Sequence, residues 1–216
     1  MKAAFKILGY LKKYPKRGIV IDCDEPIGLD DYEILEPDFG HQYSDYEEEI
    51  DSSFPIPLMD EIRSTIFVDS NYSHDKVTGK SITGLVGFLG GTPITWYAKR
   101  QSSVMTSTFG AEFTSLKKAV EEAEMYRYYC RAFGMKMTKP TVIFEDNMAV
   151  VLNSSNPGST LQHKSIALSY HFCREHVSGG VVKVRHIRTD INLSDAMTKA
   201  LDSTAFHNCI MPYMWN

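Results

Sequence analysis

Residues 140–147 read Pro140-Thr141-Val142-Ile143-Phe144-Glu145-Asp146-Asn147. A breaker followed by a β-branched and aromatic run is the pattern of a strand. This one ends in an acid, Asp146. The same ending occurs earlier, in Ser64-Thr65-Ile66-Phe67-Val68-Asp69. Two short apolar strands that each end on an aspartate point to an α/β sheet, where functional groups gather at strand ends.

The chain between and beyond these strands completes the pattern. Ser81–Leu89 predicts a second strand, Gly90-Gly91 a hairpin turn and Pro93–Lys99 a third strand. A long helix is predicted from Thr108 to Phe133. Phe113, Leu116, Val120, Ala123, Cys130 and Phe133 recur there at spacings of three, four or seven, and Lys117, Lys118, Glu121, Glu122 and Arg127 take the other sides. Gly134 stands where a C-terminal cap belongs. After Asp146 come a short helix over Asn147–Leu152, a loop over 153–159, a helix over Lys164–Val177 and a strand over Val181–Ile187. A last helix runs from Asn192 to about Leu201. The order is βββ-α-β-α-α-β-α, an α/β fold with a five-stranded mixed sheet and helices on both faces.

This domain spans residues 63–205. Upstream, residues 1–21 hold a short basic amphipathic helix with Phe5, Ile7, Leu8 and Leu11 on one side, and Gly18–Cys23 a possible strand. Residues 22–62 form an acidic segment. From Asp22 to Glu61 there are fifteen Asp and Glu, no Lys or Arg, and four prolines. That density of charge and breakers predicts a solvated linker or insertion. A sharper alternative has it dock on the basic body and compete with nucleic acid. The other residues carry all 23 Lys and Arg against the remaining twelve acids, a net +11 that suits a polyanionic partner. Residues 206–216 read as a C-terminal tail.

Four scattered cysteines (Cys23, Cys130, Cys173, Cys209) contain no CxxC pair. This argues against a zinc site and a disulfide framework, and predicts free thiols filling the core. No apolar run approaches the ~18 residues a membrane span needs, and the first residues lack a signal peptide's pattern. The expectation is an intracellular protein with no membrane partner.

Four acids stand out by position. Asp69 and Asp146 end strands, Glu112 lies in the first turns of the long helix, and Asp195 in the first turns of the last one. Converging carboxylates repel unless a cation neutralises them. Hard oxygen ligands without His or Cys suit Mg²⁺ or Mn²⁺. Two such ions can activate a water and stabilise a leaving oxygen in phosphodiester cleavage. Each acid alone has a simpler explanation. Glu112 and Asp195 complement helix N-termini, and Asp146-Asn147 is a turn.

Several ordered motifs resemble the ribonuclease H domain of copia-type (pseudoviral) retrotransposon Pol polyproteins. They are Val68-Asp69-Ser70-Asn71-Tyr72-Ser73-His74-Asp75, Lys80-Ser81-Ile82-Thr83-Gly84, Trp96-Tyr97-Ala98-Lys99-Arg100-Gln101, Ser107-Thr108-Phe109-Gly110-Ala111-Glu112-Phe113, Asp146-Asn147, Ser169-Tyr170-His171-Phe172-Cys173-Arg174-Glu175, and the run Ile187 to Lys199 that contains Asp195. The resemblance covers residues 63–201, and the upstream helix looks like the tail of that family's reverse transcriptase.

It implies a ribonuclease H fold that cuts the RNA strand of RNA–DNA hybrids with two Mg²⁺ ions, Mn²⁺ being an alternative. Asp69, Glu112, Asp146 and Asp195 would be the metal ligands. The products would be 5′-phosphate and 3′-hydroxyl ends. The other partner would be the reverse transcriptase portion of the same polyprotein. The setting would be cytoplasmic virus-like particles, with nuclear entry. Lys-Ser at 164–165 departs from the Lys-His of many relatives.

For substrate, Ser70, Asn71, Ser107, Thr108 and Asn147 flank the acids and suit 2′-hydroxyl or phosphate. Lys76, Lys80, Lys99, Arg100, Lys164 and Arg188 suit backbone phosphates. His186 is the candidate helper in product release, with His163 behind it and His171 read as a packed helix residue. Trp96 and Tyr97 read as packing groups. Two rivals stand beside this reading: an inactive or host-adopted fragment that binds nucleic acid or protein, and an integrase or transposase on the same fold.

Overall fold

The computed structural model describes residues 2–22, 24, 39–40, 42–161 and 164–215. In chain order the elements are α1 (Lys2–Lys13), β1 (Gly18–Ile19), β2 (Ser64–Asn71), β3 (Ile82–Leu89), β4 (Thr92–Arg100), α2 (Thr108–Ala132), β5 (Thr141–Glu145), α3 (Met148–Ser155), α4 (Ala167–Ser178), β6 (Val182–His186), α5 (Asp195–Thr198), α6 (Ser203–Ile210) and β7 (Met214–Trp215). A 3-10 turn over Lys164–Ile166 leads into α4.

The main sheet has the order β4-β3-β2-β5-β6. β4, β3 and β2 are antiparallel, and β5 and β6 continue parallel to β2. Gly90, at φ 57, turns the β3–β4 hairpin. The period-two alternation of a strand sorts side chains to two faces. Ile66, Val68, Leu85 and Ile143 join the larger core with Phe113, Leu116, Val120, Tyr170 and Cys173 of α2 and α4. Phe67, Val86, Phe88 and Phe144 face the other way, onto Ile187, Leu193, Met197, Cys209 and Tyr213. Phe67 stacks on Phe144 at 5.0 Å and meets Phe88 edge-on at 5.7 Å.

The sheet and its helices match the expected order. The last helix does not: it is two pieces, α5 and α6, the second beginning at an Asp202 side chain that accepts from the amides of Thr204 and Ala205. The stretch read as a C-terminal tail is therefore built into the fold. Met214 and Trp215 pair antiparallel with Ile19 and Gly18. Tyr10 of α1 meets Phe206 edge-on at 5.9 Å. Of the α1 residues read as its apolar side, Ile7, Leu8 and Leu11 are exposed, and the side chain of Phe5 lies outside the described residues.

The acidic segment departs most from expectation. Most of its described residues are exposed, Ile56 and Leu58 at 84 and 91% among them, but a few side chains from Phe39 to Glu48 anchor it to the fold. Phe39 is buried in the larger core, with Tyr43 and Tyr46 packed beside it. Glu48 takes hydrogen bonds from two guanidinium groups of α2, those of Arg127 and Arg131. Arg127, expected on an outer side of the helix, is 2% exposed. Arg174 is equally buried. It donates to the carbonyls of Asn153, Asn156 and Pro157 and to Gln42 Oε1, and stacks on Phe39 and Tyr170. These apolar anchors, and the buried Arg127 that finds its anion in Glu48, hold this part of the segment in place despite its charge. Cys130 and Cys173 are buried free thiols, and Cys209 is half-buried. Cys23 lies outside the described residues.

Candidate active site

The parallel pairing of β2 with β5 matches Val68 to Glu145. The next residues, Asp69 and Asp146, therefore leave neighbouring central strands side by side. Glu112 arrives from α2. That helix is capped by Ser107, whose side chain accepts from the Gly110 amide. The buried Gln101 amide clamps its start to the sheet, donating to the Ala111 carbonyl (3.0 Å) and to Thr83 Oγ1 (3.1 Å). The result is one cluster: a carboxylate oxygen from each of Asp69, Glu112 and Asp146 lies within 4.8 Å of the others.

Asp195 is the first residue of α5, which packs on the sheet's other face. The turn before it hangs on β2, because Asn192 Nδ2 donates to the Val68 carbonyl (3.1 Å) and Ser194 Oγ donates to Asn192 Oδ1 (2.6 Å). Gly84 allows this close seating. A Cβ there would come within 3.0 Å of Thr198, Met197 and the Ser194 carbonyl. Among the described residues, the compact metal-type cluster comprises the first three acids and not Asp195. A lysine links Asp195 to it: Lys199 Nζ lies 2.7 Å from Asp195 Oδ1 and 3.5 Å from Asp69 Oδ2. The Thr198 hydroxyl also donates to Asp69 Oδ2.

Burial and mutual repulsion dominate the electrostatics. Burial pushes the Asp69 carboxyl up to about 6, against the pull of Thr198 and Lys199. Burial, then the charge of Asp69, pushes Glu112 up to about 8, with Ser70 working the other way. Glu145 was not singled out from the sequence. It is fully buried behind the cluster, and burial followed by Glu112's charge raises it well above the carboxylate range. Glu145 Oε1 accepts from the Asn147 amide at 3.1 Å, while its Oε2 and Glu112 Oε2 are buried without a hydrogen-bond partner. Orphaned buried carboxylate oxygens beside an all-oxygen donor set fit a hard divalent cation. Asp69, Glu112 and Asp146 could therefore bind a metal ion. Glu145 stands beside a motif residue and Lys199 ends a motif, but no period or spacing singles out either one.

The remaining candidates divide by position. Ser70 is buried beside Glu112. Ser107 and Asn147 are spent on capping α2 and α3. Asn71 Nδ2 donates to the Thr198 carbonyl, bracing α5. Arg188 pairs with Asp190, and Arg100 with Asp75. Lys164 and Lys99 are exposed, and Lys80 is half-buried. His186 Nε2 lies 3.1 Å from the Asp146 carbonyl, so it donates there and braces the backbone that carries Asp146. His171 is not packed in the core. It is exposed on α4, with Nδ1 2.7 Å from the Tyr43 hydroxyl. His163 lies outside the described residues. Trp96 is half-exposed on the edge strand, and Tyr97 packs on the larger core.

The chain is 34% identical over 142 residues to the retrovirus-related Pol polyprotein from transposon RE1 of Arabidopsis thaliana, and 32% identical to that from RE2. It is 28% identical over 143 residues to that from transposon TNT 1-94 of Nicotiana tabacum. The chain is homologous to a segment of copia-type Pol polyproteins. The match covers 66% of this chain and only 10% of the RE1 and RE2 polyproteins. No family model matches.

Two solved structures share the fold at a TM-score of 0.50. The N-terminal ribonuclease H domain of a Mycobacterium tuberculosis protein is 13% identical, over 70% of this chain and 99% of that one. LC11-RNase H1 in complex with an RNA/DNA hybrid is also 13% identical, over 62% and 93%. The copia-type segment thus has a ribonuclease H-like fold. Among the described residues no helix is long and apolar enough to cross a membrane.

Proposed function

We propose that this copia-type segment is a ribonuclease H, cutting the RNA strand of RNA–DNA hybrids during retrotransposon reverse transcription. One observation carries the reading: Asp69, Glu112 and Asp146 converge within 4.8 Å at the end of the sheet. Homology to Pol polyproteins and a fold shared with a hybrid-bound ribonuclease H supply the substrate class.

Asp69, Glu112 and Asp146, with Asp195 adjoining, would hold Mg²⁺ or Mn²⁺. Bound there, such ions supply Lewis-acid stabilisation of charge on the attacking and departing oxygens. The chain's own groups set the geometry. Ser107 and Gln101 fix Glu112 at the start of α2, while His186 and Asn147 hold the turn after β5. The exposed Lys99, Lys164 and Lys76, with half-buried Lys80, offer a basic approach for phosphates. A water is the nucleophile and no protein side chain is acylated or phosphorylated. The reverse transcriptase portion of the polyprotein is the intramolecular partner, and the exposed side of α1 is available to it.

The test is cleavage of a labelled RNA–DNA hybrid in Mg²⁺ or Mn²⁺, beside Asp146→Asn. Metal-dependent RNA cutting that the variant loses by at least about a hundredfold supports the reading; a loss of that size corresponds to ~2.7 kcal/mol of barrier. A folded wild type that binds hybrid and does not cut it turns the reading into the binding-only alternative.

A further inference from the structure

Asp69 faces two ways. On one side it joins Glu112 and Asp146 in the compact cluster. On the other, its Oδ2 is shared by the Thr198 hydroxyl and, at 3.5 Å, by Lys199 Nζ, which also lies 2.7 Å from Asp195 Oδ1. The fourth acid is therefore joined to the first through an ammonium group. Lys199 sits four residues after Asp195, the helical spacing that brings the two side chains together. Its side chain is 38% exposed, so the flexible stem can swing into water. The triad side holds no lysine or arginine partner of this kind among the described contacts, and Glu112 Oε2 is unpartnered there.

On the functional reading above, we infer that Lys199 is a positioning residue that makes the two cation sites unequal. Its ammonium stands in for a cation between Asp69 and Asp195, so a divalent ion enters the Asp69–Glu112–Asp146 site freely and a second must displace Lys199. Without a cation, Asp69 and Asp195 repel across a buried gap, and a lysine that bridges them removes the repulsion. With one ion bound, the lysine becomes a like charge beside it, which favours its departure. The second site is then reached only at higher metal concentration.

The experiment is a Mn²⁺ titration of the full chain at fixed pH, followed by electron paramagnetic resonance and by calorimetry. It compares wild type, Lys199→Met, Lys199→Gln and Lys199→Arg. The wild type should bind in two steps, the second weaker. Lys199→Met and Lys199→Gln should tighten the second step about fivefold or more, the size of one lost half-exposed ion pair. The first step should change by less than about twofold. Lys199→Arg, which keeps the charge, should restore the weak second step. Without metal, both neutral variants should melt below wild type, and saturating Mn²⁺ should close that gap. An unchanged second step in both neutral variants, with wild type binding two ions, overturns the role of Lys199 alone. If wild type binds no Mn²⁺, the functional reading falls with it. Circular dichroism of each variant separates either outcome from misfolding.

Discussion

Replacing Glu48 by alanine should loosen a segment that lies outside the candidate metal site, 21 residues before Asp69 along the chain. The carboxylate receives four hydrogen bonds: from Arg127 Nε and Nη2 at 2.6 and 2.7 Å, and from Arg131 Nη1 and Nη2 at 2.6 and 2.8 Å. Burial opposes its charge, but the two guanidinium groups hold the carboxyl down at about 2, against an ordinary 4.5. That difference is worth about 3 kcal/mol at neutral pH. The side chain is 20% exposed, so screening reduces the figure to about 2 kcal/mol. The variant also leaves Arg127, 2% exposed, with its Lys139 carbonyl contact but no anion. Removing one partner of a buried pair commonly costs about 3–5 kcal/mol. The expected loss is ~2–3 kcal/mol, a fall in Tm of roughly 5–10 °C for a chain of this size. Thermal and urea unfolding without metal measure it.

The pH dependence gives a second, independent reading of Glu48. A carboxyl whose folded value is depressed contributes fully above its unfolded value, and the contribution fades as pH falls through the folded one. The gap between wild type and Glu48→Ala should therefore stay constant above about pH 5 and shrink from 4.5 towards 2. A gap below about 0.5 kcal/mol, or one that persists undiminished in acid, would refute the account.

Other consequences follow from the site. Glu112 is held up at about 8, so metal-free protein carries a proton there at pH 6–7. Metal binding should release that proton and tighten by up to about tenfold per pH unit up to pH ~8, which calorimetry in buffers of different ionisation enthalpy can check. By the same linkage, the metal-free protein should lose stability as pH rises from 4.5 to about 8, and saturating metal should abolish the loss. Glu145→Gln should leave stability at pH 7 equal or up to about 1 kcal/mol higher, because it removes a buried acid with an orphaned oxygen; a clear drop in Tm would show that the acid has an unseen partner. Gly84→Ala should cost ~1–3 kcal/mol and weaken metal binding more than Ala substitution at a surface glycine such as Gly158, since its Cβ would push α5 off the sheet; melting and Mn²⁺ titration of the two variants decide it.

The sequence was enough for the sheet because strand signals are local. Ser64–Asp69 and Pro140–Asp146 pair a β-rich run with a terminal acid, and the 3.6-residue period over Phe113 to Cys130 marks one helix face, whereas Phe133, read with it, is the C-cap of α2 and 79% exposed. The same locality let ordered motifs point to Asp69, Glu112, Asp146 and Asp195, since strand ends and helix starts are positions along a chain; that three of them form the compact cluster and Asp195 adjoins it is a matter of space. What needed three dimensions was every relation between distant charges. Arg127 and Arg174 look like surface residues until Glu48, Gln42 and the carbonyls of 153–157 are brought around them. Phe39 and Tyr43 sit in a stretch whose composition argues for solvent, yet each meets a cation or an apolar face supplied more than a hundred residues away. Lys199 is one of 23 basic residues in sequence, and only the turn of α5 beneath Gly84 sets it between Asp195 and Asp69. Hydrophobic pattern is written in neighbours along the chain, whereas the value of a charge depends on what surrounds it in space, and that is decided only when the chain folds.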